Sequence, residues 1–225
     1  GFVVGAARTV IEALVDVVGK TGTVMMPTFS GELSDPTAWR FPPVPESWIK
    51  PILDETPAYD SALTPTRRMG VVAELFRHFP GVVRSPHPQS SFSAWGAQAA
   101  FLVSEHHMDY RFGPNSPLGK LRDLGGKVLL LGAPFQTCSF FYLTQSSMSG
   151  NVEIIRKAPI NQSGKKHWVS YRDIEYPNNW FSDACEHLLK IGLMKRSLVG
   201  AAQAHVCKAR DAVEEVIRWR RHAKR

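Results

Sequence analysis

No apolar run in this sequence approaches the roughly 18 to 20 residues that a membrane-spanning helix needs. The opening residues also lack the basic, apolar and small-residue succession of a secretory leader. A soluble, cytoplasmic protein with no membrane partner is therefore expected. Cysteine is scarce: Cys138, Cys185 and Cys207 are the only three in 225 residues. They are odd in number, widely spaced and never at Cys-x-x-Cys spacing, which argues against a disulfide framework or a thiolate zinc site and makes buried reduced thiols the expectation. Of the eight histidines only His106 and His107 are close in sequence. Adjacent side chains diverge on a helix, so that pair cannot share one metal, and no metal is expected. The dinucleotide-binding glycine pattern, the phosphate loop, the His-Glu-x-x-His helix and the Gly-x-Ser-x-Gly elbow are all missing, and the reactions they serve lose their support. Internal repeats and low-complexity tracts are missing too.

The net charge is +7, yet five of the 27 basic residues lie in the last eight positions, so the remainder carries 22 basic against 20 acidic residues. The excess is a local feature of a helix expected from about Asp211, where cations suit the negative end of the dipole. With no reader motif and no basic stripe interleaved with aromatics, nucleic acid is not an expected partner.

Periodicity sets out the remaining elements. Val10, Ile11, Leu14, Val17 and Val18 recur at helical spacing over 6–19, and a short strand follows at 23–26, ended by Pro27. From 29 to 66 the prolines Pro36, Pro42, Pro43, Pro45, Pro51, Pro57 and Pro65 interrupt any period, which predicts a long loop of functional or lid type. Helices are predicted at 69–79, 96–104, 140–148 and 180–193, and strands at 152–157, 167–174 and 198–206. The continuous apolar run Lys127-Val128-Leu129-Leu130-Leu131-Gly132 predicts a strand covered on both faces in mid-sheet. The fold class is α/β, a mixed central sheet flanked by helices with a long proline-rich loop, forming a single domain over 1–225.

Seven strings in order resemble one family. They are Gly22-Thr23-Val24-Met25-Met26-Pro27-Thr28-Phe29; Thr64-Pro65-Thr66 with Met69-Gly70 and Glu74-x-Phe76-Arg77; Arg84-Ser85-x-His87-Pro88 with Ser91 and Gly96; His106 with Asp109 and Gly113; Ser116-Pro117-Leu118 before Leu121; Val128-Leu129-Leu130-Leu131-Gly132; and Val199-Gly200-x-Ala202. Each alone is weak, but together and in order the chain resembles the aminoglycoside 3-N-acetyltransferase family. That resemblance implies the antibiotic N-acetyltransferase fold and transfer of an acetyl group from acetyl-CoA to an aminoglycoside amine, a resistance activity. Such a site must hold the amine deprotonated beside the thioester and support the oxyanion that develops.

In the family a histidine in a His-x-x-Glu string after the apolar strand acts as base. Here Tyr142 stands in the histidine's place and Gln145 in the glutamate's. A tyrosine hydroxyl, titrating near 10 in model peptides, is a poor base at neutral pH, and loss of a positioned base typically costs about 10²- to 10⁴-fold. Tyr142 is left to hydrogen-bond the amine or the carbonyl oxygen, Gln145 to orient the substrate, or both to serve as ordinary helix residues. Tyr171-x-Asp173-x-Glu175 matches the family's acidic strand end, and alternate strand residues share a face, so Asp173 and Glu175 are expected in one pocket as catalytic carboxylates. Glu32, Asp35 and Asp60 are candidate ammonium contacts. Ser85, His87, Ser91 and Ser116 are candidate acetyl-CoA contacts through hydroxyl and backbone N–H groups, and His87 is the substitute base if another histidine moves the proton. By the same resemblance the chain is expected to lack the family's first helix and strand. The expected partner is an aminoglycoside or other amino-sugar molecule, and a homodimer stays open. The alternatives are an acyltransferase for another amine and a non-catalytic CoA-binding relative.

Overall fold

The computed structural model describes residues 3–223. In chain order its elements begin α1 (Ala6–Val18), β1 (Thr23–Pro27), α2 (Glu46–Glu55), α3 (Gly70–Phe76), β2 (Val83–Arg84), β3 (Phe92–Gly96), α4 (Ala99–Val103) and α5 (Pro117–Asp123). They continue with β4 (Lys127–Leu131), α6 (Phe141–Ser146), β5 (Glu153–Gln162), β6 (Lys165–Ile174), α7 (Phe181–Lys190), β7 (Met194–Val199), β8 (Ala202–Lys208) and α8 (Ala209–Ala223). Contacts divide the chain into an N-terminal unit, Phe2–Arg111 with Ile154–Asp173, and a C-terminal unit, Phe112–Glu153 with Ile174–Arg225.

In the N-terminal unit β3 lies between β1 and β2, antiparallel to both, with Thr23 opposite Gly96 and Val83 opposite Ala94. Ala94 packs with Ala99, Val103 and Met25. Gly96 is required by close approach: its φ is +106°, and an added Cβ would lie 2.2 Å from the Gly22 carbonyl oxygen. The α1 periodicity delivers Ile11 to the interior, where it and Phe76 of α3 are fully buried. Between β5 and β6 only Ser163 and Gly164 intervene, with φ of +52° and +78°. Positive φ at both positions marks a two-residue turn whose twist suits a tight antiparallel hairpin. The parallel component of the sheet structure is an isolated bridge between Tyr59 and Ile160.

The proline-rich stretch is not wholly loop. Helix α2 starts directly after Pro45 and carries Pro51 within it. Proline is tolerated in a helix where the lost N–H and the ring can be accommodated, and counting prolines as breakers missed this element. Trp39, Phe41, Pro43, Trp48 and Ile52 line a cavity of about 750 Å³ here.

In the C-terminal unit β8 lies between β4 and β7, both antiparallel to it. This corrects two expectations. The strand predicted at 198–206 is a hairpin, β7 and β8 joined at Gly200 and Ala201, with φ +57° at Gly200. The apolar β4 sits at the edge of its ladder and not in mid-sheet: Leu130 is buried, whereas Leu129 is 46% exposed. The core of this unit is helical, with Phe141, Leu143, Phe181, Leu188, Ala212 and Val216 shut from solvent. Among the described residues no helix is long and apolar enough to cross a membrane.

Leu188→Ala is expected to destabilise the protein by about 2–5 kcal/mol in urea unfolding, since the cavity cannot collapse onto solvent; a loss well under 1 kcal/mol would show that α7 is not closely packed. Glu74 accepts the Thr66 N–H at 2.7 Å and two Arg77 nitrogens at 2.9 and 2.6 Å. Burial pushes its carboxyl upward, but the Arg77 and Thr66 hydrogen bonds outweigh that and hold it at about 2, below the ordinary 4.5. Its contribution is present above the unfolded value and is lost as pH falls from 4.5 to about 2. Acid unfolding followed by circular dichroism should therefore be shallower across that window in Glu74→Gln than in the parent.

Candidate active site

Buried polar side chains must find partners inside the protein, and in the N-terminal unit they find each other. Ser85 accepts the Phe92 N–H at 2.9 Å and stands 3.0 Å from Nδ1 of His106, whose Nε2 lies 2.7 Å from the Arg111 carbonyl oxygen. A carbonyl can only accept, so Nε2–H of His106 donates there and, in the neutral ring, Nδ1 accepts a hydrogen bond from the Ser85 hydroxyl. His87 repeats the pattern. Its Nδ1 accepts the N–H groups of Gln89 and Ser90, each at 3.1 Å, and its Nε2–H donates to the Met108 carbonyl at 3.3 Å. Burial first, then electrostatic competition with the neighbouring His106 and the charge of Arg111, pushes the His87 pKa well below 6.5. His87 is thus a neutral cross-brace with both nitrogens engaged, which argues against the role of substitute base.

The other candidate acetyl-CoA contacts are equally engaged. Ser91 donates to the Thr28 carbonyl at 2.7 Å and accepts from Nε of Arg84 at 3.0 Å. Ser116 caps α5 by accepting the Gly119 N–H at 3.5 Å. All of Ser85, His87, Ser91 and Ser116 are buried. They do not fit the direct donor role for phosphate or pantetheine that the resemblance implies, and they act as scaffold for their loops.

Asp173 and Glu175 do not share an environment. Asp173, on β6, is fully buried, with Oδ2 3.0 Å from Nε of Arg156 and 3.3 Å from Nε of Arg111. Glu175 lies beyond the end of β6, exposed, its N–H donating to the Val152 carbonyl at 3.0 Å. The expectation that alternate positions present both carboxylates to one pocket fails because the strand ends between them. Tyr171 donates to Oε1 of Gln89, whose Nε2 is held by the carbonyls of Leu33 and Lys157 at 2.7 and 2.9 Å. Burial pushes the Tyr171 hydroxyl up to about 12, so it stays a neutral donor.

The loop carboxylates divide in the same way. Asp35 accepts both the N–H and the hydroxyl of Thr37 and pairs with Lys157 at 3.1 Å. Burial raises its pKa, but the Thr37 bonds and Lys157 bring it below the ordinary value. Asp60 closes a turn by accepting the N–H groups of Ala62 and Leu63 at 2.7 and 2.9 Å. Glu32 differs: one of its carboxylate oxygens is enclosed with no hydrogen-bond partner among the described residues.

In the C-terminal unit Tyr142 is half-buried and stacks on Phe112, ring centroids 4.7 Å apart at 16°, with Tyr176 and Phe181 edge-on. Gln145, three residues on, donates to Oδ1 of Asn151 at 2.6 Å and accepts from Nη1 of Arg220 at 3.0 Å. That guanidinium lies 4.0 Å above the Trp180 ring. Gln145 is therefore a structural link from α6 to α8. The three thiols are buried and free; the Cys138 thiol hydrogen-bonds to that of Cys185 and, with burial, is pushed well above its ordinary value, and burial brings Cys207 up to about 12. None competes as a nucleophile. No group of three or more potential metal ligands occurs among the described residues.

Sequence reasoning missed Arg111, Arg156, Gln89 and Arg220. The Ser163-Gly164 turn was the available signal for one of them, since it puts Arg156 on the strand beside Asp173.

The described residues form an α/β fold of antiparallel ladders that encloses a network of hydrogen-bonded polar side chains. The comparisons make this specific. The family described as aminoglycoside 3-N-acetyltransferase matches residues 1–221. The SPbeta prophage-derived aminoglycoside N(3')-acetyltransferase-like protein YokD of Bacillus subtilis is 41% identical over 97% of this chain and 81% of its own, and its crystal structure superposes with a TM-score of 0.94. Aminoglycoside N(3)-acetyltransferase VII of Streptomyces paromomycinus is 34% identical over the same 97% and 81%. The solved AAC-IIIb binary complex with CoASH is 27% identical over 97% of this chain and 84% of its own, with a TM-score of 0.85. The chain belongs to the aminoglycoside 3-N-acetyltransferase family, a family of acyltransferases.

Gln145→Glu, which introduces the carboxylate that the resemblance implies here, is expected to cost about 1–2 kcal/mol in urea unfolding, the cost of an unmet part-buried acceptor. Asn151 cannot turn its amide to help, because its Nδ2 is held by the carbonyls of Gln145 and Met148 at 3.0 and 2.8 Å. A gain in stability would mean that the new ion pair with Arg220 outweighs the clash.

Proposed function

We propose that this protein transfers the acetyl group of acetyl-CoA to the 3-amino group of an aminoglycoside. The observation that carries the reading is the family match across residues 1–221, together with relatives named for that reaction over 97% of the chain. Acetyl-CoA would supply the acyl group as a thioester. The protein's part is to hold a neutral amine against it and to meet the oxyanion with donors.

With His87 neutral and enclosed, no histidine in the matched loops stands ready as base. Tyr142, ringed by Phe112, Tyr176 and Phe181, is the residue at the family's base position, and in this reading its hydroxyl positions the amine or carbonyl oxygen instead of removing a proton. Glu32 is the loop carboxylate left to face an ammonium group. A second reading, an acceptor amine outside the aminoglycosides, is favoured by one observation: Asp35, Asp60 and Asp173, three carboxylates expected to meet a polycation, are held by Lys157 and Thr37, by a turn, and by Arg111 with Arg156.

Thiol release from acetyl-CoA across aminoglycosides with and without a free 3-amine tests the first reading. Turnover confined to those with that amine is expected. A folded protein that releases thiol with none of them, but does so with simpler amino sugars, would replace it with the second. Tyr142→Phe is expected to lower kcat by about tenfold or more at an unchanged melting temperature, the scale of one lost positioning hydrogen bond. An unaltered kcat would remove Tyr142 from the chemistry.

A further inference from the structure

We infer that the aromatic groove beside α2 is the surface on which a second copy of this chain docks, the two copies meeting across a two-fold axis with Arg40 of each opposite Glu55 of the other. The docking is independent of the reaction proposed above.

Helix α2 is tied to the N-terminal unit at its end. Nζ of Lys166, on β6, donates to the carbonyls of Leu53, Asp54 and Thr56, and Nε1 of Trp168 donates to the Leu53 carbonyl at 3.1 Å. The hairpin thus meets carbonyls that the last turn of a helix leaves without partners. Ile49 and Leu53, four residues apart and half-buried, share one face of the helix. Trp48, Pro51, Ile52 and Glu55 recur at the next set of helical positions and line a hollow of about 380 Å³. Trp48 and Ile52 also line the cavity of about 750 Å³ that holds Trp39, Arg40 and Phe41, so the two hollows run together as one groove. Helix α2 therefore has a second apolar face, and none of its residues is buried.

The groove has the composition and reach of a contact surface. Phe41 is fully exposed and Trp48 is 63% exposed. Between them these two side chains offer on the order of 300 Å². That is about a third of the roughly 800 Å² that each partner of a standard-sized interface covers, before the exposed rings of Pro42, Pro43, Pro45 and Pro51 are added. Tryptophan, phenylalanine and arginine are the residue types enriched where proteins meet. The charges choose the occupant. Arg40 borders one hollow and Glu55 the other, both exposed, and neither makes an ion pair among the described residues. A surface with opposite charges at its two ends is complementary to itself after a half-turn, the condition of a two-fold interface in which residue i meets j and j meets i. Lys50 and Asp54 already neutralise each other on the helix, and with Glu46 the surroundings carry three acidic groups against two basic ones. That balance disfavours an anionic lipid surface.

Sedimentation equilibrium of the whole chain over a range of concentrations is the test. The parent is expected to be a dimer that dissociates at about micromolar concentration or below, as standard-sized interfaces do. A parent that stays monomeric up to about 100 µM would overturn the inference without any variant having to fold. Phe41→Ser, at a position fully exposed in the single copy, is expected to raise the dissociation constant about 10- to 100-fold with an unchanged circular dichroism spectrum. Arg40→Glu and Glu55→Arg each set like charges face to face and should weaken the dimer, while the double reversal returns it to within about threefold of the parent. A dimer indifferent to Phe41→Ser, or a double reversal no tighter than the single ones, overturns the assignment. So does another occupant. Phosphatidylglycerol vesicles that sediment the parent but not Phe41→Ser would give the groove to a membrane. Saturable binding of anilinonaphthalene sulfonate by a protein that stays monomeric, lost in Phe41→Ser, would give it to a small apolar ligand.

Discussion

The N-terminal unit is organised around the need to keep a carboxylate that is wholly out of water. Removing an ion of that size from solvent costs several kcal/mol even after relaxation, and only close, well-directed partners offset it. The partners of Asp173 include Arg156, on the neighbouring strand of its hairpin, whose Nε donates at 3.0 Å, and Arg111, in the loop after His106, an ion-pair neighbour at 3.3 Å. Around it the same rule runs outward. Gln89 is fixed by the carbonyls of Leu33 and Lys157, His87 by the N–H groups of Gln89 and Ser90, and Ser85 by Phe92 and His106. One charged cluster and the hydrogen bonds around it thereby tie together the long loop, β2, β3 and the hairpin.

The C-terminal unit follows a different logic. Its stability is apolar, in the helices α6, α7 and α8 over the β4–β8–β7 ladder, and its polar links sit at the margin. Arg220 is such a link: it lies on the Trp180 ring and reaches the Gln145 oxygen, joining the last helix to the helix that carries Tyr142. The aromatic rings around Tyr142 hold it by shape, with edge-on and stacked neighbours that restrict both rotation of the ring and displacement of α6.

Much of the fold was legible in the sequence, because its periodic segments report burial directly. Ile11, Phe76, Leu130 and Leu188 are buried as their patterns required. What escaped were features set by context. Helix α2 forms despite Pro51, since proline's cost depends on what surrounds it. The β7–β8 hairpin hides in a stretch where Leu198 and Val199 are exposed, so hydrophobicity misplaced the strand. A run of aliphatic residues marked β4 as a strand but could not say how many neighbours it has. At the candidate site the sequence named polar residues whose hydrogen-bonding groups the structure shows to be engaged inside the protein. Ser85, His87, Ser91 and Asp173 are residue types that bind ligands and also residue types that satisfy buried backbone, and one-dimensional spacing cannot tell which use has been made of them.

The link at Gln145 also bears on which substitutions the site tolerates. The resemblance implies a carboxylate at that position, yet the Nδ2 group of Asn151 is held by two backbone carbonyls, which turns its Oδ1 toward residue 145. Position 151 thus decides what position 145 tolerates, although it takes no part in the family's motif. A carboxylate placed at 145 beside an unchanged Asn151 would set two acceptors facing each other, whereas a change at 151 made first would remove that conflict. The two positions are therefore coupled, and a substitution at either is read through the residue at the other.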